Sequence, residues 1–234
     1  MYLSNYFFYA IIPMLLSLWA QAKVRGTYSK YSQIRTKTGV TGAEAARKML
    51  DVHGLSDVTI ERVSGTLTDH YDPSKKILRL SEGVYSSNSV AAVGVACHEA
   101  GHAYQDADQY HWLSLRTNII PLVNFGSMLG PILFMVGLVF SGFLGRFGQT
   151  LSYAGVIIFG LSAVFAVVTL PVEFNASSRA KAWLSNTGLL YQDEQEGVAD
   201  VLQAAALTYV AAAIQAITNV MYYASFLNRN NRRR

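Results

Sequence analysis

The sequence is poor in cysteine and in charge, and each shortage narrows what the chain can be. Cys97 is the only cysteine in 234 residues, so no internal disulfide can form and nothing indicates an oxidising compartment. Charged residues make up 15% of the chain and AVILMFWYC residues 51%, a balance that predicts extensive contact with lipid. The net charge of +4 is modest, and no stretch has the basic footprint of a nucleic-acid-binding protein. We therefore expect a membrane protein with no nucleic-acid partner.

Four apolar stretches predict membrane helices. Residues 3–22 are uncharged and long enough to cross about 30 Å of hydrocarbon. They lack preceding basic residues and a clear cleavage site, so they predict a retained anchor rather than a signal peptide. Residues 119–140 and 151–170, joined by the Gly-rich connection 141–150, predict a transmembrane hairpin. Residues 204–227 carry a polar stripe, so this helix either spans the membrane or packs at its interface.

The positions of lysine and arginine predict the orientation. Five basic residues lie within residues 23–37, whereas the hairpin connection contains only Arg146. This asymmetry places residues 23–118 in the cytosol. The arginines of the tail, at 229 and 232–234, also favour the cytosol, and three spans with an interfacial C-terminal helix would satisfy that preference.

The cytosolic part is predicted to fold as a small α+β portion. A capping box at residues 41–44 begins a helix that Gly54 can end. Residues 58–63 and 77–81 predict strands, and the turn sequence at 72–74 precedes the second of them. A hairpin or short sheet should therefore precede the next helix.

Residues 89–105 predict a mostly apolar helix that contains the motif HEAGH. His98 and His102 are four residues apart, so both imidazoles project from one face and can bind one Zn²⁺. Glu99 adjoins the first histidine, where its carboxylate can take a proton from the attacking water as general base. The alternative is an amphipathic helix with histidines four apart by chance. Against it, two unliganded histidines and a glutamate would be costly to bury in such a helix.

A catalytic zinc needs a third protein ligand, and Glu173 is the candidate. The two spans of the hairpin are nearly equal in length, so the chain returns to the membrane face that bears His98, and the segment 171–203 is expected there. The alternative for Glu173 is an ordinary polar helix start after a proline. Cys97 points about 100° away from the ligand face and is expected to pack rather than bind metal. We therefore expect one Zn²⁺ per chain.

HEAGH, a two-span hairpin and the sequence PVEFNASSRA at residues 171–180 together resemble the YugP-like bacterial membrane family of neutral zinc metallopeptidases. Segments 69–85 and 206–212 also resemble that family, so the resemblance covers nearly the whole chain. More distantly, the arrangement is similar to the gluzincin-like CaaX-type and heat-shock membrane proteases, whose third ligand begins a Glu-x-x-Ala-Asp motif. The resemblance implies that Glu173 is that ligand. Residues 1–234 would then form one mainly α membrane metallopeptidase unit with a small cytosolic zincin-like portion.

Other residues are candidates for supporting roles. Ser177 occupies the position of that motif's Asp, so the resemblance implies a weaker hydrogen bond to a zinc-binding histidine. Arg179 is a candidate oxyanion stabiliser or an anchor for lipid headgroups. His70 and His111 could lie near the substrate or the metal ligands, or be merely structural. The strand at 76–81 could hold an extended peptide along its edge, or be an ordinary sheet edge.

The expected function is a zinc-dependent endopeptidase at the cytosolic face of a bacterial plasma membrane, acting on proteins or peptides. An intramembrane site-2-type protease is disfavoured, because residues 90–97 are too short an apolar run to span. A catalytically idle zinc-binding scaffold would close its fourth position with Cys or His, whereas here Glu99 is placed to act on water. A transporter would need charged or broken helices within 119–140 and 151–170, which have none.

Overall fold

The computed structural model describes residues 7–231 and is mainly helical, as predicted. A π-helical segment, Phe7–Ile11, leads directly into the first α-helix. Three short strands lie between the second and third α-helices. In chain order the elements are α1 (Ile12–Ser32), α2 (Gly42–Val52), β1 (Thr59–Val63), β2 (His70–Asp72), β3 (Ile77–Ser81), α3 (Glu82–Tyr85), α4 (Val90–Ala107), α5 (His111–Val139), α6 (Ser141–Leu144), α7 (Arg146–Phe159), α8 (Leu161–Thr187) and α9 (Gln192–Asn231).

The described chain divides into two compact units, each assembled from segments distant in sequence. One unit, called here the apolar unit, consists of residues 7–19, 115–170 and 209–231. The other, called the polar unit, consists of residues 20–114 and 171–208. The polar unit contains every metal-ligand candidate that the sequence predicts.

Helices long and apolar enough to cross a membrane coincide with all four predicted stretches. This agreement identifies the chain as a mainly helical membrane protein. Residues 3–6 of the predicted anchor lie outside the described residues. Which of the helices cross completely stays a prediction. The candidate spans are Phe7–Ser32, His111–Val139, Arg146–Thr187 and Gln192–Leu227.

Glycines let helices of the apolar unit approach closely. A Cβ atom added at Gly130 of α5 would lie 2.8 Å from the backbone nitrogen of Phe159 in α7, and one at Gly126 would lie 2.8 Å from the carbonyl oxygen of Ile158. Lipid tails are as apolar as the helix side chains, so the hydrophobic effect does not drive helices together in a membrane. Close packing of helix backbones, as seen here, helps to hold membrane helices together. Larger side chains at these positions would therefore separate α5 from α7.

The polar unit begins its folded part as the sequence predicts. The Thr41 side chain accepts a hydrogen bond from the backbone nitrogen of Glu44 at 3.3 Å, and the Glu44 carboxylate accepts one from the nitrogen of Thr41 at 2.9 Å. This capping box satisfies donors that the first turn of α2 would otherwise leave unpaired. Gly54 follows the helix with φ +73°, a conformation that glycine adopts without steric cost.

The three strands form one sheet in the order β1-β3-β2. β1 pairs with β3 in parallel along its full length, and β2 pairs with β3 in an antiparallel arrangement. The two predicted strands are confirmed, whereas β2, of three residues, was not predicted. Because β3 is the central strand, the prediction that residues 76–81 form an open edge for an extended peptide is wrong. The outer strands β1 and β2 occupy both of its edges.

The core of the polar unit forms around α4, the helix that carries HEAGH. Ser89 caps this helix by accepting a hydrogen bond from the backbone nitrogen of Ala92 at 3.2 Å. α2 packs close to it, since a Cβ added at Gly42 would lie 2.9 Å from the carbonyl oxygen of Ala92. The core thus fixes α4 on the side away from its histidines. Its fully buried large side chains include Met49, Leu50, Leu78, Leu80, Val84, Val90, Val93, Leu184 and Val198.

Candidate metal centre

Two helices of the polar unit bring His98, His102 and Glu173 together in its interior. The histidines lie one turn apart on α4, with ring centroids 4.8 Å apart, and Glu173 lies on α8. Oε2 of Glu173 is 3.2 Å from Nε2 of His98 and 3.5 Å from Nε2 of His102. All three residues are at most 9% exposed. Glu173 lies 71 residues after His102 in the sequence. The structure therefore brings together the residues that the motif and the hairpin argument selected.

The two distances from Glu173 are compatible with a shared zinc ion, and the ligand atoms of the three residues all lie within 4.8 Å of one another. Ligand atoms about 2.0–2.1 Å from one tetrahedral metal lie about 3.3 Å from each other. The two distances from the Glu173 oxygen, 3.2 and 3.5 Å, lie on either side of that value. Two imidazole nitrogens and one carboxylate oxygen also form the ligand set of many catalytic zinc sites, in which a fourth position stays open. In the described part of the chain, His98, His102 and Glu173 form the group of His, Cys, Asp or Glu side chains whose ligand atoms lie close enough together to hold one metal ion.

Gly101 lets the two ligand-bearing helices approach. A Cβ atom at this position would lie 2.7 Å from the backbone carbonyl oxygen of Ala176 on α8. Real Cβ atoms do not come so close to backbone, so any other residue would push α8 away from α4. The glycine of HEAGH, one of the two variable positions of the motif, is thus a packing requirement that the motif alone does not express.

Ser177 orients His98. Its hydroxyl oxygen lies 3.0 Å from Nδ1 of His98, one turn along α8 from Glu173. A hydrogen on Nδ1 donated to this oxygen leaves the lone pair of Nε2 free for a metal ion held between His98 and Glu173. The resemblance implied a weaker support at this position than a carboxylate would give, and the structure places a neutral hydroxyl there.

Gln105 orients His102 in the same way, and sequence reasoning missed it. Its amide oxygen lies 3.0 Å from Nδ1 of His102, and its amide nitrogen donates to the carbonyl oxygen of Val172 at 2.8 Å and to Oδ1 of Asn175 at 2.9 Å. Gln105 is fully buried. A glutamine three residues after a ligand histidine, on the inner face of an apolar helix, was the available signal. A buried amide needs partners, and His102 is within reach at that spacing.

Arg179 extends this hydrogen-bonded network toward solvent. Its guanidinium donates to Oδ1 of Asn175 at 2.8 Å and to the Asp108 carboxylate at 2.7 Å. It also stacks over the ring of Tyr104, 4.2 Å from the centroid. The oxyanion role suggested for Arg179 stays a prediction. Its contacts tie it to Asn175, and through Asn175 to Gln105.

Glu99 is half-buried beside the two histidines. Within residues 7–231 its carboxylate has no hydrogen-bond or ion-pair partner, so it is free to accept a proton. Its charge acts on the adjacent ligand. Burial by itself would lower the pKa of His102, but the hydrogen bond that its ring donates to Glu173 and the charges of Glu99 and Glu173 reverse that effect, so the pKa of His102 is raised.

The other cysteine and histidine candidates lie outside the centre. Cys97 is fully buried in the core, where burial raises the pKa of its thiol, so it packs as expected and remains protonated. His70 lies on β2, where its ring contacts the carbonyl oxygen of Thr68 and the guanidinium of Arg79. His111 begins α5 with its ring against Trp112. Neither histidine joins the cluster of ligands.

The chain is similar to known proteins along almost its whole length. A family described as "Putative neutral zinc metallopeptidase" matches residues 6–228. The chain is also 47% identical to "Putative membrane protease YugP" of Bacillus subtilis (strain 168) over 224 residues, which are 95% of this chain and 97% of the relative. No solved structure matches the chain.

Proposed function

This chain belongs to the family described as "Putative neutral zinc metallopeptidase", and on that basis we propose that it is a zinc-dependent endopeptidase of the bacterial membrane. The family expected from HEAGH and residues 171–180 is the family shown. The single observation that carries the proposal is the convergence of Nε2 of His98 and Nε2 of His102 on one oxygen of Glu173. In our proposal these three side chains hold one Zn²⁺.

Glu99 is the catalytic base in this proposal. The chemistry that zinc supplies when bound is polarisation of the scissile carbonyl and acidification of the attacking water. Glu99 takes a proton from that water while the oxygen of the water forms a bond to the carbonyl carbon. It then delivers the proton to the departing amide nitrogen as the C–N bond breaks. The unpartnered state of the Glu99 carboxylate supports this role.

Ser177 and Gln105 hold the two histidines in the tautomer that this chemistry requires. Each accepts the Nδ1 hydrogen of one ring, which directs the Nε2 lone pair to the metal. Arg179 supports Gln105 through Asn175, which leaves its oxyanion role to be tested separately.

We place the centre at the cytosolic face of the bacterial plasma membrane. Lysine and arginine are concentrated in residues 23–37, which belong to the polar unit together with all three ligands. The substrates in this proposal are proteins or peptides that reach this face.

The test compares purified full-length wild type, Glu99→Gln and Glu173→Ala in detergent, measuring bound zinc per chain and casein cleavage. We expect about one zinc per wild-type chain, zinc without cleavage in Glu99→Gln, and weakened zinc binding in Glu173→Ala. Glu196→Gln is the matched control. This glutamate is exposed and lies outside the ligand cluster, so its variant should cleave like wild type.

Cleavage by Glu99→Gln at the wild-type rate would refute the mechanism. If wild type binds one zinc per chain but cleaves none of several unfolded proteins, that result would favour the alternative of a catalytically idle zinc-binding membrane scaffold. Wild type that binds no zinc would exclude both.

A further inference from the structure

A cavity of about 500 Å³ in the polar unit lies between α1 and α9. α1 lines it with side chains between Ala22 and Tyr31, and α9 lines it with side chains between Asp200 and Leu207. None of the ligand candidates lines it. The endopeptidase mechanism gives this cavity no role.

The cavity is lined by a row of polar side chains and a row of small or apolar ones. At one end the Tyr31 hydroxyl donates to the Asp200 carboxylate at 2.5 Å, which fixes the two helices side by side there. From this bond the lining runs back along α1 to Ala22 and forward along α9 to Leu207, so the two helices are antiparallel. Seven to nine helical residues separate the ends by about 10–13 Å. A ligand of matching shape would place its polar group beside Lys23, Thr27 and Lys30, which share one face of α1, and an apolar part along Gly26, Ala204 and Leu207.

Three of the polar side chains that line the cavity lack partners. The side chains of Lys23, Thr27 and Gln203 make no hydrogen bond or ion pair in the part of the chain that the structure describes. Lys30 donates to the Tyr31 hydroxyl at 3.2 Å and keeps further donor hydrogens free. Two ammonium groups thus face a cavity whose single carboxylate, that of Asp200, already accepts from Tyr31. This lining complements an anion.

From this amphipathic shape and these free donors, we infer that the cavity binds one anionic phospholipid. Its phosphate lies between Lys23 and Lys30, where two cations and the Thr27 hydroxyl can neutralise and hydrogen-bond it. Its acyl chain follows the small residues Gly26 and Ala204 toward Leu207. The inference does not depend on the endopeptidase proposal.

Gly26 offers a test that changes no charge. A Cβ atom at this position meets nothing within 4 Å, because the glycine faces the open cavity. Gly26→Leu therefore fills the cavity without a clash and replaces glycine in a helix by a better helix former. Gly26→Met fills the same space with a more flexible side chain and serves as a second variant should the first fold poorly.

The experiment titrates the detergent-solubilised full-length protein with phosphatidylglycerol, with phosphatidylcholine of the same acyl chains, or with inorganic phosphate. Bound lipid is counted by native mass spectrometry. We expect one phosphatidylglycerol bound at least about tenfold more tightly than phosphatidylcholine. Lys23→Gln and Lys30→Gln should each weaken it about fivefold, as expected for one cation at a lipid headgroup. Gly26→Leu and Gly26→Met should abolish it. Arg25→Gln is the matched control, because Arg25 is exposed on the same helix but does not line the cavity.

Three outcomes would overturn the inference. Wild-type affinity in both Gly26 variants would place the lipid elsewhere. An equal loss in Arg25→Gln and Lys30→Gln would indicate general charge attraction rather than a site. Competition by millimolar inorganic phosphate as strong as that by the lipid would identify a free anion, not a phospholipid, as the ligand.

Discussion

Replacing Gln105 by leucine should weaken zinc binding although Gln105 is not a ligand. Leucine removes the acceptor 3.0 Å from Nδ1 of His102, so nothing fixes the tautomer or the ring orientation of that ligand. Loss of such a hydrogen bond typically lowers metal affinity about 10–100-fold, which corresponds to about 1.4–2.8 kcal/mol. The same change leaves the carbonyl oxygen of Val172 without its side-chain donor. We therefore also expect a loss of about 1–3 kcal/mol of stability in the metal-free protein.

A glutamate at position 105 separates the two effects. Gln105→Glu keeps an oxygen acceptor for His102, and a charged one, but loses the amide donor to Val172 and Asn175. Its zinc affinity should stay within about threefold of wild type, well short of the loss expected for leucine. Its thermal stability should fall at least as far as in the leucine variant, because a buried carboxylate replaces a neutral amide. The readouts are the zinc dissociation constant from chelator competition and thermal unfolding of the metal-free protein in detergent.

The reasoning would be refuted in either of two ways. Zinc binding by Gln105→Leu as tight as that of wild type would show that Nδ1 of His102 needs no partner. Alternatively, zinc affinity in the glutamate variant could fall as far as in the leucine variant. Affinity would then follow stability alone, and Gln105 would be a structural residue without a role in positioning His102.

Three further predictions follow from the same centre and from the proposed orientation. Gly101→Ala should weaken zinc binding, because the added Cβ would lie 2.7 Å from the Ala176 carbonyl oxygen and push α8 away from α4. Chelator competition measures the zinc affinity, and an unchanged affinity would show that the helices can shift to accept the Cβ. Ser177→Ala should cost about tenfold in zinc affinity by removing the partner 3.0 Å from Nδ1 of His98, and an affinity equal to that of wild type would contradict the role of Ser177. Single cysteines at the exposed positions Gly142 and Lys75 should differ in their labelling on intact cells. A membrane-impermeant thiol reagent should label the cysteine at position 142 but not the one at position 75, and labelling at position 75 would contradict the proposed orientation. Native Cys97 is fully buried and should not interfere.

Much of the fold could be predicted because local signals dominate it. The capping box at Thr41 and Glu44 and the strand Ile77–Ser81 follow from neighbouring residues, and all are confirmed. β2 was missed because three residues give too short a pattern for any periodicity to show. The error about β3 has the same source. Without β2, its central position in the sheet cannot be recognised, because strand order depends on pairing between distant segments.

The convergence of His98, His102 and Glu173 could be predicted because each of them has a signal of its own. His98 and His102 share a helix face, and the equal spans of the hairpin return Glu173 to the same side. Gly101 and Gln105 could not be assigned in this way. Their roles depend on how closely α8 approaches α4, and that distance is set by packing.

The neutral side chains behind the histidines suit the charge of a buried centre. With zinc bound, the charge of +2 is balanced by Glu173 and Glu99, and the protein adds only the uncharged oxygens of Ser177 and Gln105. A carboxylate at position 177 would hold His98 more strongly but would leave an unbalanced negative charge in a site whose ligands are at most 9% exposed. Burying a negative charge that no cation balances costs several kcal/mol, which offsets the gain from the stronger hydrogen bond. In the proposed zinc-bound centre, the Ser177 hydroxyl therefore gives His98 weaker support than a carboxylate would and adds no charge.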